Sequence, residues 1–356
     1  MIPVQNIYYM LTYAYRVLSN STYKNVETEA FENAAELYTA ILILGIGSQL
    51  KRGLNRDYIE TVEAFSMLRG KIELNESIRP RMRLKQQLLC CHDEFSLNTR
   101  MNRILKTMCD KLLKTEISRN PKRDKIFKQK LRYLLVYFEG VDNIDLSAVD
   151  WRMQFHRNNE TYRMLMGICQ LLSKSLLQTR SDGCTNLMDF EDDQSMSHLY
   201  EKFLLEYYCQ EHPELKASAS RIEWQLDEGS EEFGLPEMRS DIMLAHGQTV
   251  LIIDAKYYTH NMQENYGKRS VHSGNLYQIF TYVKNKEAEL ENVPHRVVGM
   301  LLYAKTDDEI QPNATYHMSG NEISVRTLDL NCPFGVIKHE LDAIAETYFP
   351  DHPGIK

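Results

Sequence analysis

The chain has 356 residues, 43% of them apolar, and carries a net charge of −7, so it is long enough for two or three domains with a substantial core. No run approaches the roughly 18 apolar residues of a membrane span, and the N-terminus MIPVQNIYYM lacks the basic region and cleavage site of a signal peptide, so a cytoplasmic protein is expected. Seven cysteines without a C-x-x-C pair argue against a disulfide framework or a structural zinc site, and we expect them to be reduced.

The N-terminal half is predicted to be mainly helical. Apolar residues at helical spacing predict helices at 2–18, 31–50, 95–113, 125–138 and 160–177. Between the second and third of these, basic residues alternate at Arg79, Arg81, Arg83 and Lys85, which favours a strand with a cationic face. We therefore expect an N-terminal domain over residues 1–185 with a small β-rich part at about 51–95.

Charge is distributed unevenly along the chain. Between Arg69 and Arg132 there are 18 lysines and arginines against 7 acidic residues, whereas residues 186–356 contain 14 against 29. The basic segment can hold a phosphate backbone, bind an acidic partner or form a solvated helix surface, and composition does not distinguish these roles. The acidic part is poorly suited to holding DNA by itself.

A polar, turn-rich segment at 177–193 marks the expected boundary, so residues 186–356 should form the second domain. Its pattern predicts, in chain order, a helix at 196–208, strands at 239–244 and 249–258, a helix at 272–284, strands at 297–303 and 321–328, and a helix at 335–348. This order describes an α/β domain with a mixed sheet flanked by helices.

The two adjacent strands predict a hairpin with a charged end. If residues 245–248 form the loop, Leu244 lies opposite Thr249 and Asp241 lies opposite Ile252. Because side chains alternate along a strand, Asp241, Asp254 and Lys256 then project from one face. Two carboxylates and an ammonium group are expected to converge there.

Such a group suits metal-dependent phosphodiester hydrolysis. Two carboxylates are suitable ligands for Mg²⁺, and a nearby lysine can stabilise developing negative charge or position the attacking water. The alternative is a strand that ends in solvated charges, with Lys256 paired to Asp254. The apolar run VLII that precedes Asp254 favours the site, because charges at the end of a buried strand need a compensating role.

Three further residues are candidates for the same site. Glu201 lies at the margin of the apolar stripe of helix 196–208, about 60° from Leu204, and either a site role or a solvated position is open to it. Gln278 and Tyr282 are four residues apart and share one face of helix 272–284.

This arrangement of helix with Glu, strand with Asp, strand with Asp-x-Lys, helix and strand resembles the core of the PD-(D/E)xK nucleases. The pair Gln278 and Tyr282 is similar to the additional motif of the RecB-like branch. Two positions depart from the superfamily pattern: Ser240 replaces the proline before Asp241, and the second acidic residue is Asp254.

The whole chain resembles the McrC family, the nuclease subunits of McrBC modification-dependent restriction systems. The similarity lies in six blocks that recur in the same order: IPVQNIYYMLTYAY, RGL, LRGKIE, LYEKFL, DIMLAHGQTVLIIDAKYY and NLYQIFTY. It implies Mg²⁺-dependent cleavage of double-stranded DNA containing modified cytosine, with Asp241 and Asp254 as metal ligands and Lys256, Gln278, Tyr282 and Glu201 as catalytic residues.

The resemblance also implies a partner, an McrB-like AAA+ hexamer that hydrolyses GTP and reads methylated cytosine. The β-rich part, about 54–89, would dock into the hexamer's pore and stimulate nucleotide hydrolysis. The basic residues that would contact the partner or DNA are Arg69, Lys71, Arg79, Arg81, Arg83 and Lys85. Because the chain contains no P-loop G-x-x-x-x-G-K-[ST], GTP would bind to the partner.

Two other functions remain open from the residues alone. One is a stand-alone RecB-like repair nuclease, and the other is a largely non-catalytic activator of an AAA+ motor. Intact Asp241, Asp254 and Lys256 argue against the second. The long N-terminal half without a helicase motif argues against the first.

Overall fold

The computed structural model describes residues 2–78, 84–156, 159–178, 193–230, 233–258, 261–265, 268–305 and 311–350. The helices are α1 Val4–Ala14, α2 Lys24–Thr28, α3 Ala34–Arg52, α4 Leu74–Ser77, α5 Arg100–Leu113, α6 Pro121–Leu135, α7 Glu160–Gln178, α8 Asp193–Glu211, α9 Ser273–Glu289 and α10 Phe334–Tyr348. The strands are β1 Asp57–Phe65, β2 Lys71–Ile72, β3 Leu88–Ser96, β4 Arg221–Ile222, β5 Met238–Arg239, β6 Ile242–His246, β7 Thr249–Lys256, β8 Met262–Asn265, β9 Lys268–Val271, β10 Arg296–Ala304, β11 Ala314–Met318 and β12 Asn321–Leu328. Among the described helices, none is long and apolar enough to cross a membrane.

The chain divides into two compact units, and the division is not linear. One unit combines Met1–Ala34 with Glu191–Lys356, and the other is Ala35–Phe190. The expected division into 1–185 and 186–356 therefore differs from the structure for the first 34 residues. We call Met1–Ala34 with Glu191–Lys356 the sheet unit, and Ala35–Phe190 the helical unit.

Helix α1 explains this grouping, because its apolar face packs against α8 of the sheet unit. Tyr9 and Tyr13 of α1 extend this contact: the Tyr9 ring centroid lies 4.7 Å from that of Phe334, and the Tyr13 centroid lies 5.7 Å from that of Phe203. Buried Asn6 also donates hydrogen bonds to the carbonyl oxygens of Leu330 and Cys332, both at 2.8 Å. Such long-range contacts cannot be predicted from the spacing of apolar residues along the sequence.

The sheet unit contains a five-stranded mixed sheet in the order β11-β12-β10-β7-β6. β10 is parallel to both β7 and β12, while β6 and β11 pair antiparallel at the two edges. The central strand β10 is buried from its second residue onward because α9 packs on the sheet. The expected mixed α/β sheet flanked by helices is confirmed.

The helical unit contains α3, α5, α6 and α7 together with a three-stranded sheet in the order β1-β3-β2. β1 and β3 pair antiparallel from Asp57 opposite Ser96 to Phe65 opposite Leu88. The sheet thus lies in the segment that was expected to be β-rich.

A strand with a cationic face was expected at 79–85. The structure describes only the end of this segment, and there the expectation is wrong. Lys85 lies in a helical turn, and Gln86, with a φ of 52°, reverses the chain before β3 begins. Arg79, Arg81 and Arg83 lie outside the residues that the structure describes. Arg69 is an exposed residue of the β1–β2 connection, and Lys71 is exposed on β2.

Candidate active site

The β6–β7 hairpin positions the two acidic residues. Its ladder runs from Ile242 opposite Ile253 to His246 opposite Thr249, so the turn contains only Gly247 and Gln248. Gly247 adopts a φ of 58°, which a side chain would disfavour and which a tight hairpin turn requires. The expected four-residue loop and its register, with Leu244 opposite Thr249, are therefore wrong.

The true register is displaced by two residues, so the side chains remain on the predicted faces. If the ladder is continued by one residue beyond Ile242 and Ile253, Asp241 lies opposite Asp254 rather than opposite Ile252. Asp241 accepts a hydrogen bond from the backbone N–H of Ala255 at 2.9 Å. The structure thus brings Asp241, Asp254 and Lys256 together.

Asp254 is a buried carboxyl group paired with a lysine. Its side chain is only 1% exposed, and the Lys256 ammonium nitrogen lies 2.7 Å from Oδ2. Asp241 lies beside the same group and contributes a second carboxyl group. A buried and a partly buried carboxyl group with one lysine between them favour the binding of a further cation.

Burial is the main reason why the pKa values of both carboxyl groups are raised. Burial, followed by repulsion from Asp254 and Glu201, raises the pKa of Asp241 to about 8. Burial also raises the pKa of Asp254, despite the opposing attraction of Lys256. For Lys256, burial lowers the pKa, but the attraction of Asp254 outweighs it and the net pKa is raised. Lys256 is therefore held in its charged form beside two carboxyl groups whose pKa values are raised.

Helix α9 supplies the polar groups beside the lysine. Lys256 donates a hydrogen bond to Oε1 of Gln278 at 3.3 Å, and the Gln278 amide donates to the Tyr282 hydroxyl at 2.8 Å. The shared face predicted for Gln278 and Tyr282 is therefore present, and it points toward Lys256. Tyr282 is 7% exposed.

Three residues that sequence reasoning missed extend this network. Asn275 donates to the Tyr303 hydroxyl at 2.9 Å and accepts a hydrogen bond from the Tyr258 hydroxyl at 3.3 Å. Tyr303 lies opposite Lys256 in the parallel β7–β10 ladder. The sequence could have identified Asn275 as a site residue by its position one helical turn before Gln278.

Glu201 lies at the margin of the site. Its carboxylate accepts a hydrogen bond from Ser197 at 3.1 Å and is 3.8 Å from the His198 ring nitrogen Nδ1, and a third of its side chain is exposed. Its charge contributes to the raised pKa of both Asp241 and Asp254. Glu201 therefore acts on the carboxyl pair electrostatically.

The donor set fits a hard divalent cation held by few protein ligands. Among the described residues, no group of three or more His, Cys, Asp or Glu side chains is arranged to hold a metal ion. Mg²⁺ commonly binds through one or two carboxylates and keeps several waters. Asp241 and Asp254, two carboxyl groups side by side at the end of one hairpin, match that requirement.

Comparison with known proteins identifies relatives of the chain. A curated relative, the type IV methyl-directed restriction enzyme EcoKMcrBC of Escherichia coli K12, is 28% identical over 352 residues, which cover 98% of each chain. A solved half-complex of Thermococcus gammatolerans McrB AAA+ hexamers with bound McrC matches 96% of this chain and 76% of the other chain, at 18% identity and a TM-score of 0.46. The solved McrBC complex of the same organism matches 59% and 58%, at 20% identity and a TM-score of 0.39.

The family model of the McrBC 5-methylcytosine restriction system component matches residues 4–304, which is most of the chain. This match includes the carboxylate pair, the lysine and both polar residues of α9. The chain belongs to the family of McrBC 5-methylcytosine restriction system components.

Proposed function

We propose that this chain is the nuclease subunit of a modification-dependent restriction complex and hydrolyses DNA phosphodiester bonds with Mg²⁺. The observation that carries the proposal is the pairing of Asp241 with buried Asp254, with the Lys256 ammonium nitrogen 2.7 Å from Oδ2 of Asp254. Family membership supports the same activity, because the E. coli relative is named a restriction enzyme.

The three charged residues have distinct proposed roles. Asp241 and Asp254 would hold Mg²⁺, which supplies Lewis-acid stabilisation of phosphate charge when bound. Lys256 remains protonated beside Asp254, so it is suited to bind a phosphate oxygen and to stabilise negative charge as it develops. The backbone N–H of Ala255 keeps the Asp241 carboxylate oriented toward its partner.

Gln278, Tyr282 and Glu201 have supporting roles in this proposal. Gln278 accepts a hydrogen bond from the lysine and donates one to the tyrosine, so it fixes the direction of the ammonium group. Tyr282 is mostly buried and holds the Gln278 amide in turn. Glu201 raises the proton affinity of the carboxyl pair and can accept a proton from water at the margin of the site.

The proposed partner is an McrB-like AAA+ hexamer that hydrolyses GTP and recognises methylated cytosine. The absence of a P-loop motif from this chain supports the assignment of GTP to the partner. The excess of acidic residues over residues 186–356 also supports a complex in which another surface holds the DNA.

The small sheet of the helical unit is the proposed docking surface for this partner. Large apolar side chains are exposed on it and its connections: Tyr58, Val62, Met67, Leu68, Leu74, Ile78, Leu84 and Phe95. A cluster of exposed apolar side chains is typical of a protein-binding surface. The basic residues proposed to take part in docking are Arg69, Lys71, Arg79, Arg81, Arg83 and Lys85, of which Arg79, Arg81 and Arg83 lie outside the described residues. Docking is thus assigned to residues 35–190 rather than 1–185.

Cleavage assays test the nuclease proposal. The purified chain is incubated with cytosine-methylated plasmid and Mg²⁺, with and without the AAA+ protein and GTP. We expect cutting only with the partner and Mg²⁺, and none with Asp254→Asn. Cutting by the chain alone would indicate a stand-alone nuclease, and retained cutting by Asp254→Asn would refute the site.

The partner's GTP turnover tests the docking proposal separately. Full-length Asp254→Asn should stimulate turnover as the wild type does, because the substitution lies in the sheet unit. Replacing Tyr58 and Phe95 by Ser should abolish stimulation, whereas replacing exposed Tyr277 of the sheet unit should not. Stimulation without any DNA cleavage by the wild type would indicate a non-catalytic activator.

A further inference from the structure

Helix α6 and the turn that follows it present a continuous exposed face in the helical unit. Its buried side consists of Phe127, Leu131, Leu134 and Phe138. The opposite side carries exposed residues at helical spacing: Lys122, Lys125, Ile126, Gln129, Lys130, Arg132, Tyr133, Val136 and Tyr137. We call this set the α6 face. It contains four cations and no acidic residue.

The cations of the α6 face differ from the other basic residues of the same helix. Arg123 is 3.2 Å from buried Glu36, and Lys128 is 2.8 Å from Asp124, so both have structural partners. Lys122, Lys125, Lys130 and Arg132 form no ion pair with any described residue. Their charges are therefore available to an external anion.

Two tyrosines follow these cations along the same exposed side. Tyr133 is 65% exposed and Tyr137 is 47% exposed. Their hydroxyls are 2.9 Å apart and their rings pack edge to face, with centroids separated by 5.6 Å. This contact holds two large polar-tipped side chains outward, and the hydroxyl that accepts the hydrogen bond keeps its own proton to donate to a phosphate oxygen.

We propose that the α6 face binds the phosphate backbone of double-stranded DNA and supplies the hold that the acidic sheet unit lacks. The inference rests on the proposed nuclease function and adds to it the surface that retains the substrate. From Lys122 to Tyr137 the face is about 22 Å long, at roughly 1.5 Å per residue. That length spans about six base pairs of duplex at roughly 3.4 Å each.

Charge complementarity favours DNA over a protein partner. The small sheet of the same unit and its connections expose eight large apolar side chains, whereas the α6 face has two exposed aliphatic residues, Ile126 and Val136, among four cations that form no ion pair with a described residue. Lysine, arginine and tyrosine contacts to phosphates carry no sequence information. The face therefore binds methylated and unmethylated duplexes equally, and recognition of the modified base is left to another surface.

Direct binding tests the proposal with the full-length chain. A fluorescein-labelled 30-base-pair duplex is titrated with protein in EDTA, without the partner, across a series of salt concentrations. The variant combines Lys122→Gln, Lys125→Gln, Lys130→Gln and Arg132→Gln, since glutamine preserves helix propensity. We expect binding at least about tenfold weaker at 0.1 M salt. The slope of the logarithm of the binding constant against the logarithm of salt concentration should fall in magnitude by roughly two to four, because each phosphate contact contributes about 0.9.

A matched control removes the same charge elsewhere. Lys24→Gln, Lys51→Gln, Arg52→Gln and Arg163→Gln are at exposed positions outside the α6 face, and together they should leave the slope unchanged. Tyr133→Phe with Tyr137→Phe should weaken binding severalfold at an unchanged slope. Thermal unfolding shows whether each variant is folded.

The outcomes separate this inference from the nuclease proposal. Equal slopes for the α6 variant and its control overturn the inference, even if the chain cuts DNA. Loss of the partner's stimulation with unchanged DNA binding also overturns it and assigns the face to a protein. Reduced binding by the α6 variant supports the inference, even if Asp254→Asn shows that cleavage has another source.

Discussion

The carboxylate of Asp241 accepts a hydrogen bond from the backbone N–H of Ala255 at 2.9 Å. Because the donor belongs to the main chain of β7, the orientation of Asp241 follows from strand pairing rather than from a mobile side chain. The same strand carries Asp254 and Lys256 on either side of that donor. The three charged groups are therefore fixed relative to one another by one hairpin.

The buried carboxyl pair should make the stability of the metal-free chain depend on pH. An aspartate in the unfolded chain has a pKa of about 3.9, whereas the pKa of Asp241 is raised to about 8 and that of Asp254 is also raised. A raised pKa contributes stability below the unfolded value and loses it as the pH rises through the folded value. We expect the melting temperature in EDTA to fall between about pH 4 and 8 through this linkage.

Mg²⁺ should reverse that loss, because it binds the ionised pair. Thermal unfolding from pH 5 to 9, with EDTA or Mg²⁺, measures the effect. Asp241→Asn with Asp254→Asn serves as the control and should show a flatter profile without a response to Mg²⁺. A wild-type profile identical to that of the double variant would contradict the prediction.

Lys256→Ala should slow single-turnover cleavage by about 10²- to 10³-fold, the usual cost of removing one preorganised charge from an active site. The Mg²⁺ concentration that gives half-maximal rate should change little, because both carboxylates remain. Lys305→Ala is the matched control, since Lys305 also forms a lysine–aspartate pair, at 2.7 Å with Asp329. An unchanged rate for Lys256→Ala would exclude the proposed role.

Gln278→Ala should impair cleavage less than Asp254→Asn. The Gln278 amide orients Lys256 and Tyr282 but cannot replace an anionic metal ligand. Single-turnover rates under identical Mg²⁺ conditions give the ranking. Tyr282→Phe, which keeps the ring and removes only the hydroxyl, should fall between Gln278→Ala and the wild type. An equal loss for Gln278→Ala and Asp254→Asn would show that the amide acts on the reacting atoms.

Gly299→Ala should destabilise the sheet unit by about 1–3 kcal/mol through overpacking. A Cβ at this position of β10 would lie 2.8 Å from Val283 and 2.9 Å from Ile279, which are on the helix that carries Gln278. Gly274→Ala, in the first turn of the same helix with nothing within 4 Å, is the control and should be neutral or stabilising. Urea unfolding measures both, and equal midpoints would contradict the close packing.

Asn6→Ala should also destabilise the sheet unit, by about 1–3 kcal/mol, because it leaves one buried and one partly buried carbonyl oxygen without their donor. These are the carbonyl oxygens of Leu330 and Cys332. Gln5→Ala, at an exposed position of the same helix, is the comparison. Equal denaturant midpoints for the two variants would show that α1 contributes little to the unit.

The sequence predicted the face of each site residue better than it predicted strand register. The loop at 245–248 was expected to contain four residues, whereas the structure has a two-residue turn. An error of two residues leaves alternation intact, so Asp241, Asp254 and Lys256 still project together. An error of one residue would have separated Asp241 from the other two.

Elements without strong apolar periodicity could not be predicted from the sequence. β11 is largely exposed along its length, and its segment was not predicted to be a strand. The membership of α1 in the sheet unit depends on contacts more than 180 positions away along the chain, such as that between Tyr13 and Phe203. Asn275 was missed because its partners are distant in sequence: Tyr258 follows the end of β7, and Tyr303 lies on β10.

The discontinuous sheet unit sets an order for synthesis on the ribosome. Helix α1 emerges first, but the carbonyl groups that Asn6 binds, at Leu330 and Cys332, are made 324 and 326 residues later. At about 5–20 residues per second, α1 waits on the order of tens of seconds for them. The helical unit, encoded in between, can fold during that interval. A nascent chain that has not yet reached Leu330 therefore carries α1 without the hydrogen bonds that Asn6 makes in the finished sheet unit.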